Sequence, residues 1–212
     1  AFTEPGEKVL IQSPVYYPFF AAVENNNREL AISELLCENQ YYSMDFDDLE
    51  KQFAGGVKMM ILCSPHNPVG RVWTRQELEK LTDLLLKYNV RLVSDEIHSD
   101  IVFKEHKHCP IASLSPEIAA HTITCIAPSK TFNVAGLATS AIIISEEDVR
   151  EKFRCKLGEC GIGLGNIFGI TALEAAYTQC EDWLEAMLDY LKINKDTLDK
   201  FLQKNIPEII PI

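Results

Sequence analysis

Val57-Lys58-Met59-Met60-Ile61-Leu62-Cys63 runs without a break into Ser64-Pro65-His66-Asn67-Pro68-Val69-Gly70. The first stretch is apolar apart from Lys58, as a strand covered on both faces must be when neither face meets water. The second concentrates proline, asparagine and glycine, the residues of a tight turn. Thr74 then stands three residues before Glu77, the pattern in which a hydroxyl and a carboxylate satisfy each other's backbone N–H groups at a helix start. Leu78, Leu81, Leu85 and Tyr88 recur at helical spacing and mark a buried face, Asn89 ends the helix, and Val90 to Ser94 is the next apolar strand. Strand, helix and strand in this order predict a right-handed crossover and a parallel sheet.

The alternation extends both ways. Towards the N-terminus, Val9 to Gln12 is a short strand closed by Ser13-Pro14, and Tyr16 to Asn25 is aromatic and then helix-like. Arg28 to Leu36 reads as a second strand, and an acidic helix from Asp45 to Phe53 ends at Gly55-Gly56. Towards the C-terminus, a loop and short helix from Cys109 to Ala120 lead to a strand from His121 to Ala127 and another from Leu137 to Ser145. Helices follow at Glu146 to Cys160, about Asn166 to Gln179, and Glu181 to Asn205, with Gly158, Gly161, Gly163 and Gly165 making a flexible loop between the first two. The predicted fold is α/β, a mainly parallel sheet with helices on both faces.

Composition narrows the classes of function. At 212 residues and 47% apolar, the chain can bury a sizeable core. Its net charge of −11 opposes nucleic acid and anionic membranes as partners. The seven cysteines are odd in number and form no Cys-x-x-Cys pair, so neither a disulfide framework nor a metal site is expected. No stretch approaches the ~20 apolar residues of a membrane span, and no signal-peptide pattern opens the chain. A cytoplasmic protein is the expectation. Both ends run into apolar segments, Val9-Leu10-Ile11 and Ile206 to Ile212, as in a fragment of a longer protein.

In parallel sheets ligands bind beyond the carboxyl ends of the strands. Four polar residues fall at predicted strand ends: Asn67 after one strand, Asp95 and His98 after the next, and Lys130 after a third, in Ala127-Pro128-Ser129-Lys130-Thr131-Phe132-Asn133. Each has an ordinary structural reading as turn-former, cap, loop histidine or solvated amine. Together they match what a pyridoxal phosphate site requires: a lysine for the Schiff base, a carboxylate facing the pyridine nitrogen, donors to the ring hydroxyl and an aromatic on the ring face.

Ser64-Pro65-His66-Asn67-Pro68-Val69-Gly70, Ser94-Asp95-Glu96-Ile97-His98 and Ser129-Lys130-Thr131-Phe132-Asn133 closely resemble fold type I pyridoxal phosphate enzymes of the class I and II aminotransferase superfamily. Val72-Trp73, His98 and Thr131-Phe132-Asn133 resemble more narrowly the MalY/PatB group of cystathionine β-lyases. The resemblance implies that Lys130 carries the Schiff base and moves the α-proton. Asp95 would face the pyridine nitrogen, Asn67 and His98 would bond the ring hydroxyl, Tyr16 would stack on the ring and Ser129 would bind the phosphate. It further implies a small amino-acid substrate, a C–S β-lyase releasing thiol, pyruvate and ammonia, and a homodimer when full length. Residues 1–178 would form most of the cofactor-binding large domain, and 179–212 a helix and the beginning of the small domain. A glycine-rich phosphate loop would precede Ala1 and a substrate-binding arginine would follow Ile212, so this fragment alone would turn over weakly or not at all. Ala138 and Ala127 depart from the common pattern, standing where many members carry a phosphate-binding arginine and serine.

Rival readings remain. An aminotransferase would reprotonate at the cofactor carbon and keep the nitrogen. Some members of the lyase group bind a regulatory protein, a role in which Lys130 would be dispensable. Asp95-Glu96-Ile97-His98 also looks like a DExH ATPase box, but no P-loop accompanies it.

Overall fold

The computed structural model describes residues 1–163 and 165–212. The chain runs β1 (Lys8–Ser13), α1 (Pro18–Glu24), β2 (Glu29–Glu34), the strands β3 (Leu36–Glu38) and β4 (Tyr41–Ser43), α2 (Phe46–Ala54), β5 (Val57–Cys63), α3 (Arg75–Lys87) and β6 (Arg91–Asp95). It continues through α4 (Pro116–His121), β7 (Thr122–Ile126), the one-turn helix α5 (Pro128–Thr131), β8 (Ala141–Ile143), α6 (Glu147–Glu159), α7 (Ile167–Gln179) and α8 (Glu181–Asn205). Six strands form one sheet in the order β2-β1-β5-β6-β7-β8. All neighbours are parallel except β7 and β8. Among the described residues, no helix is long and apolar enough to cross a membrane.

Strand β5 shows why its sequence is apolar throughout. Successive side chains point to opposite faces, so Met60 and Leu62 join Leu10 and Leu92 beneath α2, α3 and α4, against Leu49, Phe53, Leu78, Leu81, Leu85 and Ile118. Met59 and Cys63 join Val9, Ile11, Val15 and Val23 on the other face, with Phe19 and Phe20 of α1 packed alongside. The helix after β1 therefore covers one face and the helix after β5 the other. Their connections diverge, and a crevice opens beyond the carboxyl ends of these two strands.

Three features differ from the pattern-based expectation. The second strand stops at Glu34, and the following residues form the antiparallel β3–β4 hairpin, turned by Asn39 and Gln40 at positive φ. These strands bury little, so hydrophobic alternation does not reveal them. The stretch expected as a strand from Leu137 narrows to Ala141–Ile143, because residues 135–137 wind into a 3-10 turn and Ala138 is left-handed at φ 48°. Helix α8 carries apolar residues at helical spacing, yet Trp183, Tyr190, Ile193, Leu198 and Phe201 are exposed.

The capping box at α3 is present and serves more than the helix. Glu77 accepts from the Thr74 backbone N–H at 2.8 Å while its own N–H donates to Thr74 Oγ1 at 3.2 Å. Both Glu77 oxygens also take hydrogen bonds from Arg71 Nη2 at 2.8 Å. Thr74→Ala should cost about 1 kcal/mol, the usual loss of a cap. Glu77→Ala should cost about 3 kcal/mol, because it also leaves the buried Arg71 guanidinium without its anion. Urea unfolding of the two variants checks the order; equal midpoints would contradict it.

Candidate active site

Four adjacent strands, β1, β5, β6 and β7, end on the same side of the sheet at a spacing of about 4.8 Å. Each delivers one or two polar or aromatic side chains into a single cavity. Tyr16 follows β1, Asn67 lies in the turn after β5, Asp95 ends β6 with His98 three residues on, and Lys130 sits in α5 after β7. Cys63 and Ile97 complete the lining. The structure thus brings together five of the six expected site residues. Ser129 lies on the same one-turn helix and is half-buried, but it is outside the lining of this cavity. Lys130 is exposed, so this chain alone does not enclose it.

The ionisable groups are perturbed in opposite directions. Burial pushes the Asp95 carboxyl above its usual range, with a smaller push from the Glu96 charge. A hydrogen bond from the Ile97 N–H, 3.4 Å from Oδ1, and the positive charge of Lys130 pull the other way. A cation placed against Asp95 would relieve the burial penalty. Burial also lowers the His98 pKa, and Lys130 lowers it further. His98 is therefore a neutral ring at neutral pH, able to donate through one nitrogen. Cys63 is held as an un-ionised thiol by burial, its pKa pushed up to about 11.

The polar side chains are held in place by contacts that do not themselves enter the cavity. In the turn that carries Asn67, the His66 N–H donates to Arg71 O and the Gly70 N–H to His66 O, both at 2.8 Å, and Gly70 takes φ +68°. His66 Nε2 lies 2.8 Å from Pro14 O, tying this turn to the loop that presents Tyr16. Trp73 Nε1 donates to Cys63 O at 3.0 Å. The Arg71 guanidinium lies over the Trp73 and Tyr41 rings and donates to Tyr42 O, so the hairpin is pinned to the turn. Tyr16 itself stands edge-on to Phe19, with ring centroids 5.8 Å apart.

Behind Asp95, Glu96 is buried and accepts from Ser94 Oγ and from His108 Nε2, each at 2.8 Å. Its backbone N–H donates to Cys125 O of β7. The neighbouring carboxylates of the Asp95-Glu96 pair thus serve different purposes: Asp95 faces the cavity and Glu96 anchors the loop. A shared magnesium site of the DExH kind is not what they form. Nothing in the local pattern marks His108 as the partner of Glu96, because twelve residues of irregular loop separate them.

The aminotransferase class I and II family model matches residues 1–211. Cystathionine beta-lyase PatB of Bacillus subtilis (strain 168) is 47% identical over 210 residues, which are 99% of this chain and 54% of that protein. The crystal structure of cystalysin from Treponema denticola, described as containing a pyridoxal 5'-phosphate cofactor, superimposes with a TM-score of 0.95 at 41% identity, covering 98% of this chain and 53% of that one. The pyridoxal phosphate-bound C-S lyase from Staphylococcus hominis gives a TM-score of 0.91 at 37% identity, covering 97% and 52%. The chain spans about half the length of these relatives.

Two outcomes follow from the site's electrostatics. A carboxyl whose folded-state pKa is raised stabilises the fold while it is protonated and loses that contribution as pH rises through the folded value. Asp95→Asn should therefore raise the thermal midpoint of the ligand-free protein at pH 7, with the gain shrinking as pH falls towards the ordinary carboxyl range; no gain at pH 7 would refute the burial penalty. His108→Ala should lower stability by about 1–3 kcal/mol in denaturant unfolding, since it leaves a buried Glu96 oxygen without its hydrogen-bond partner.

Proposed function

Because the chain belongs to the class I and II aminotransferase family, we propose that it is the cofactor-binding half of a pyridoxal phosphate-dependent C–S β-lyase. The reaction is cleavage of cystathionine or a related cysteine S-conjugate to thiol, pyruvate and ammonia. The observation that carries this reading is the convergence of Lys130, Asp95, Asn67, His98 and Tyr16 in one cavity at four adjacent strand ends. The similarity to PatB, cystalysin and the staphylococcal C-S lyase favours a lyase over amino transfer.

The donor set fits the cofactor. Lys130 offers an amine for its aldehyde. Asp95 would face the ring nitrogen, where a cation offsets the burial that otherwise disfavours its ionised form. Asn67 and the neutral His98 would donate to the ring hydroxyl oxygen, Tyr16 would lie on the ring face, and Ser129 would take part in holding the phosphate. When bound, the cofactor supplies a sink for the electrons released at the substrate's α-carbon.

The chain's own residues supply positioning and proton transfer. Lys130 Nζ, as a free amine beside the substrate's α-carbon, would accept the α-proton; holding base and proton in one site would make the transfer effectively intramolecular. Asp95, as a carboxylate, would hold a proton at the ring nitrogen through a charge-assisted hydrogen bond and keep that atom cationic. Cys63, protonated and bonded to Pro65 O at 3.4 Å, stays a packing group beside the reactive amine.

The reading extends to the parts of the enzyme around this chain. Residues 179–212 begin a second domain, in keeping with the exposed apolar residues of α8. Lys130 and Tyr16, open to solvent here, are enclosed in the full-length protein by its remaining segments and by a second copy in a homodimer.

The test uses the full-length protein with cystathionine. Equimolar pyruvate and ammonia are expected; glutamate formed from added 2-oxoglutarate, without pyruvate, would mark an aminotransferase instead. Lys130→Ala should abolish the absorbance band near the visible edge and reduce turnover by about 10²–10⁴-fold, the span of a lost acid–base group. An unchanged spectrum would reject Lys130 as the cofactor lysine.

A further inference from the structure

We propose that Asp100 is a positioning residue of this site, clasping the turn that carries Lys130 to the loop that carries Asp95 and His98. The inference rests on the functional reading above for the role of Lys130, and on the geometry alone for the clasp. Asp100 Oδ2 accepts from Thr131 Oγ1 at 2.9 Å and from the Tyr177 hydroxyl at 3.3 Å. Thr131 follows Lys130 directly and is fully buried. Asp100 stands two residues after His98 and five after Asp95. One carboxylate oxygen therefore joins the two segments whose relative placement sets where the amine stands against the carboxyl and the imidazole.

A clasp is needed because α5 cannot hold itself. It is four residues long, and a single helical turn fixes more dihedral angles than its hydrogen bonds repay. Within the turn, the Phe132 N–H donates to Pro128 O and the Val134 N–H to Ser129 O. The rest of the support comes from outside. Phe132 stands edge-on to Tyr177, with centroids 5.5 Å apart, and tilted against Trp183 at 5.9 Å. Gly169 of α7 lies so close to the segment after α5 that a Cβ there would sit 1.8 Å from Thr139 Oγ1 and 2.7 Å from Leu137 O. Helix α7 is thus braced against the lysine-bearing segment, and Tyr177 links that brace to Asp100. Burial first, and then the charge of Asp100, push the Tyr177 hydroxyl up to about 12, so it stays a donor across the working pH range.

The consequence is geometric. If the clasp opens, Lys130 is still present and still able to react, but its amine is no longer registered against Asp95 and His98. Misplacement by about 1 Å is enough to slow a positioned reaction by about 100-fold. Asp100 does not touch the reacting atoms; its effect reaches them through Thr131.

The experiment uses the full-length holoenzyme and the variants Asp100→Ala, Thr131→Val, their double variant and Asp100→Asn. Two readouts are taken that a general loss of stability does not move: the pH midpoint at which the bound cofactor's absorbance band changes, and the rate of α-proton exchange of substrate in deuterium oxide. Asp100→Ala and Thr131→Val should each shift the midpoint and slow exchange by at least ~10-fold, with KM changed far less than kcat. The double variant should be no slower than the slower single one, because both remove the same bond. Asp100→Asn, which keeps an accepting oxygen, should stay within ~3-fold of wild type. Thr131→Val nearly preserves shape, so it tests the clasp even if Asp100→Ala fails to fold. Single variants with wild-type exchange and an unshifted band, or single effects that multiply in the double, would overturn the inference. A wild-type protein that takes up no pyridoxal phosphate would overturn the functional reading, and the clasp's role with it.

Discussion

Met60 and Leu62 on one side of β5, and Met59 and Cys63 on the other, are all buried, and that two-sided burial governs the layout of the molecule. A side chain of this kind contributes about 1.5–3 kcal/mol when fully removed from water, so a central strand exposed on either face would forfeit much of the domain's margin of stability. Covering both faces requires helices on both, and the chain meets this by sending α1 to one side and α3 to the other. The crevice between those diverging connections is where Tyr16 and Asn67 come to face Asp95, His98 and Lys130. The site is a by-product of how the sheet is covered.

Around that crevice, the residues that fix geometry are distinct from those that face the cavity. Glu77 caps α3 and pairs with Arg71; Arg71 stacks on Tyr41 and Trp73; Trp73 bonds the end of β5. The chain of contacts passes from helix cap to hairpin to the turn that presents Asn67, using groups whose own hydrogen-bonding capacity is largely consumed. Glu96 and His108 do the same behind Asp95. Consuming these groups in structure leaves the cavity lined by few polar side chains, Asn67, Asp95, His98 and Lys130 among them.

The shifts in Asp95 and His98 express the same arrangement electrostatically. Half-burial disfavours charge on both, so the site holds a carboxyl that gains from a cationic partner and an imidazole that remains a neutral donor. The adjoining thiols of Cys63 and Cys125, pushed up to about 11 and about 12 by burial, stay protonated beside them. Perturbed groups gathered in a cleft are a usual mark of a functional site.

Local chemistry alone determined the alternation of strands and helices, the parallel sheet, the α3 capping box and the candidate residues at strand ends. Each rests on periodicity or on a residue's interaction with chain neighbours a few positions away, and such interactions are written in sequence order. The β3–β4 hairpin, the one-turn helix under Lys130, the antiparallel β8, the Glu96–His108 pair and the Asp100–Thr131–Tyr177 clasp were decided only in three dimensions. Asp100 and Thr131 are thirty-one positions apart, and Asp100 and Tyr177 seventy-seven. A polar residue's partner at such a distance is chosen by which strands the sheet sets side by side, and that depends on burying apolar surface across the whole domain at once.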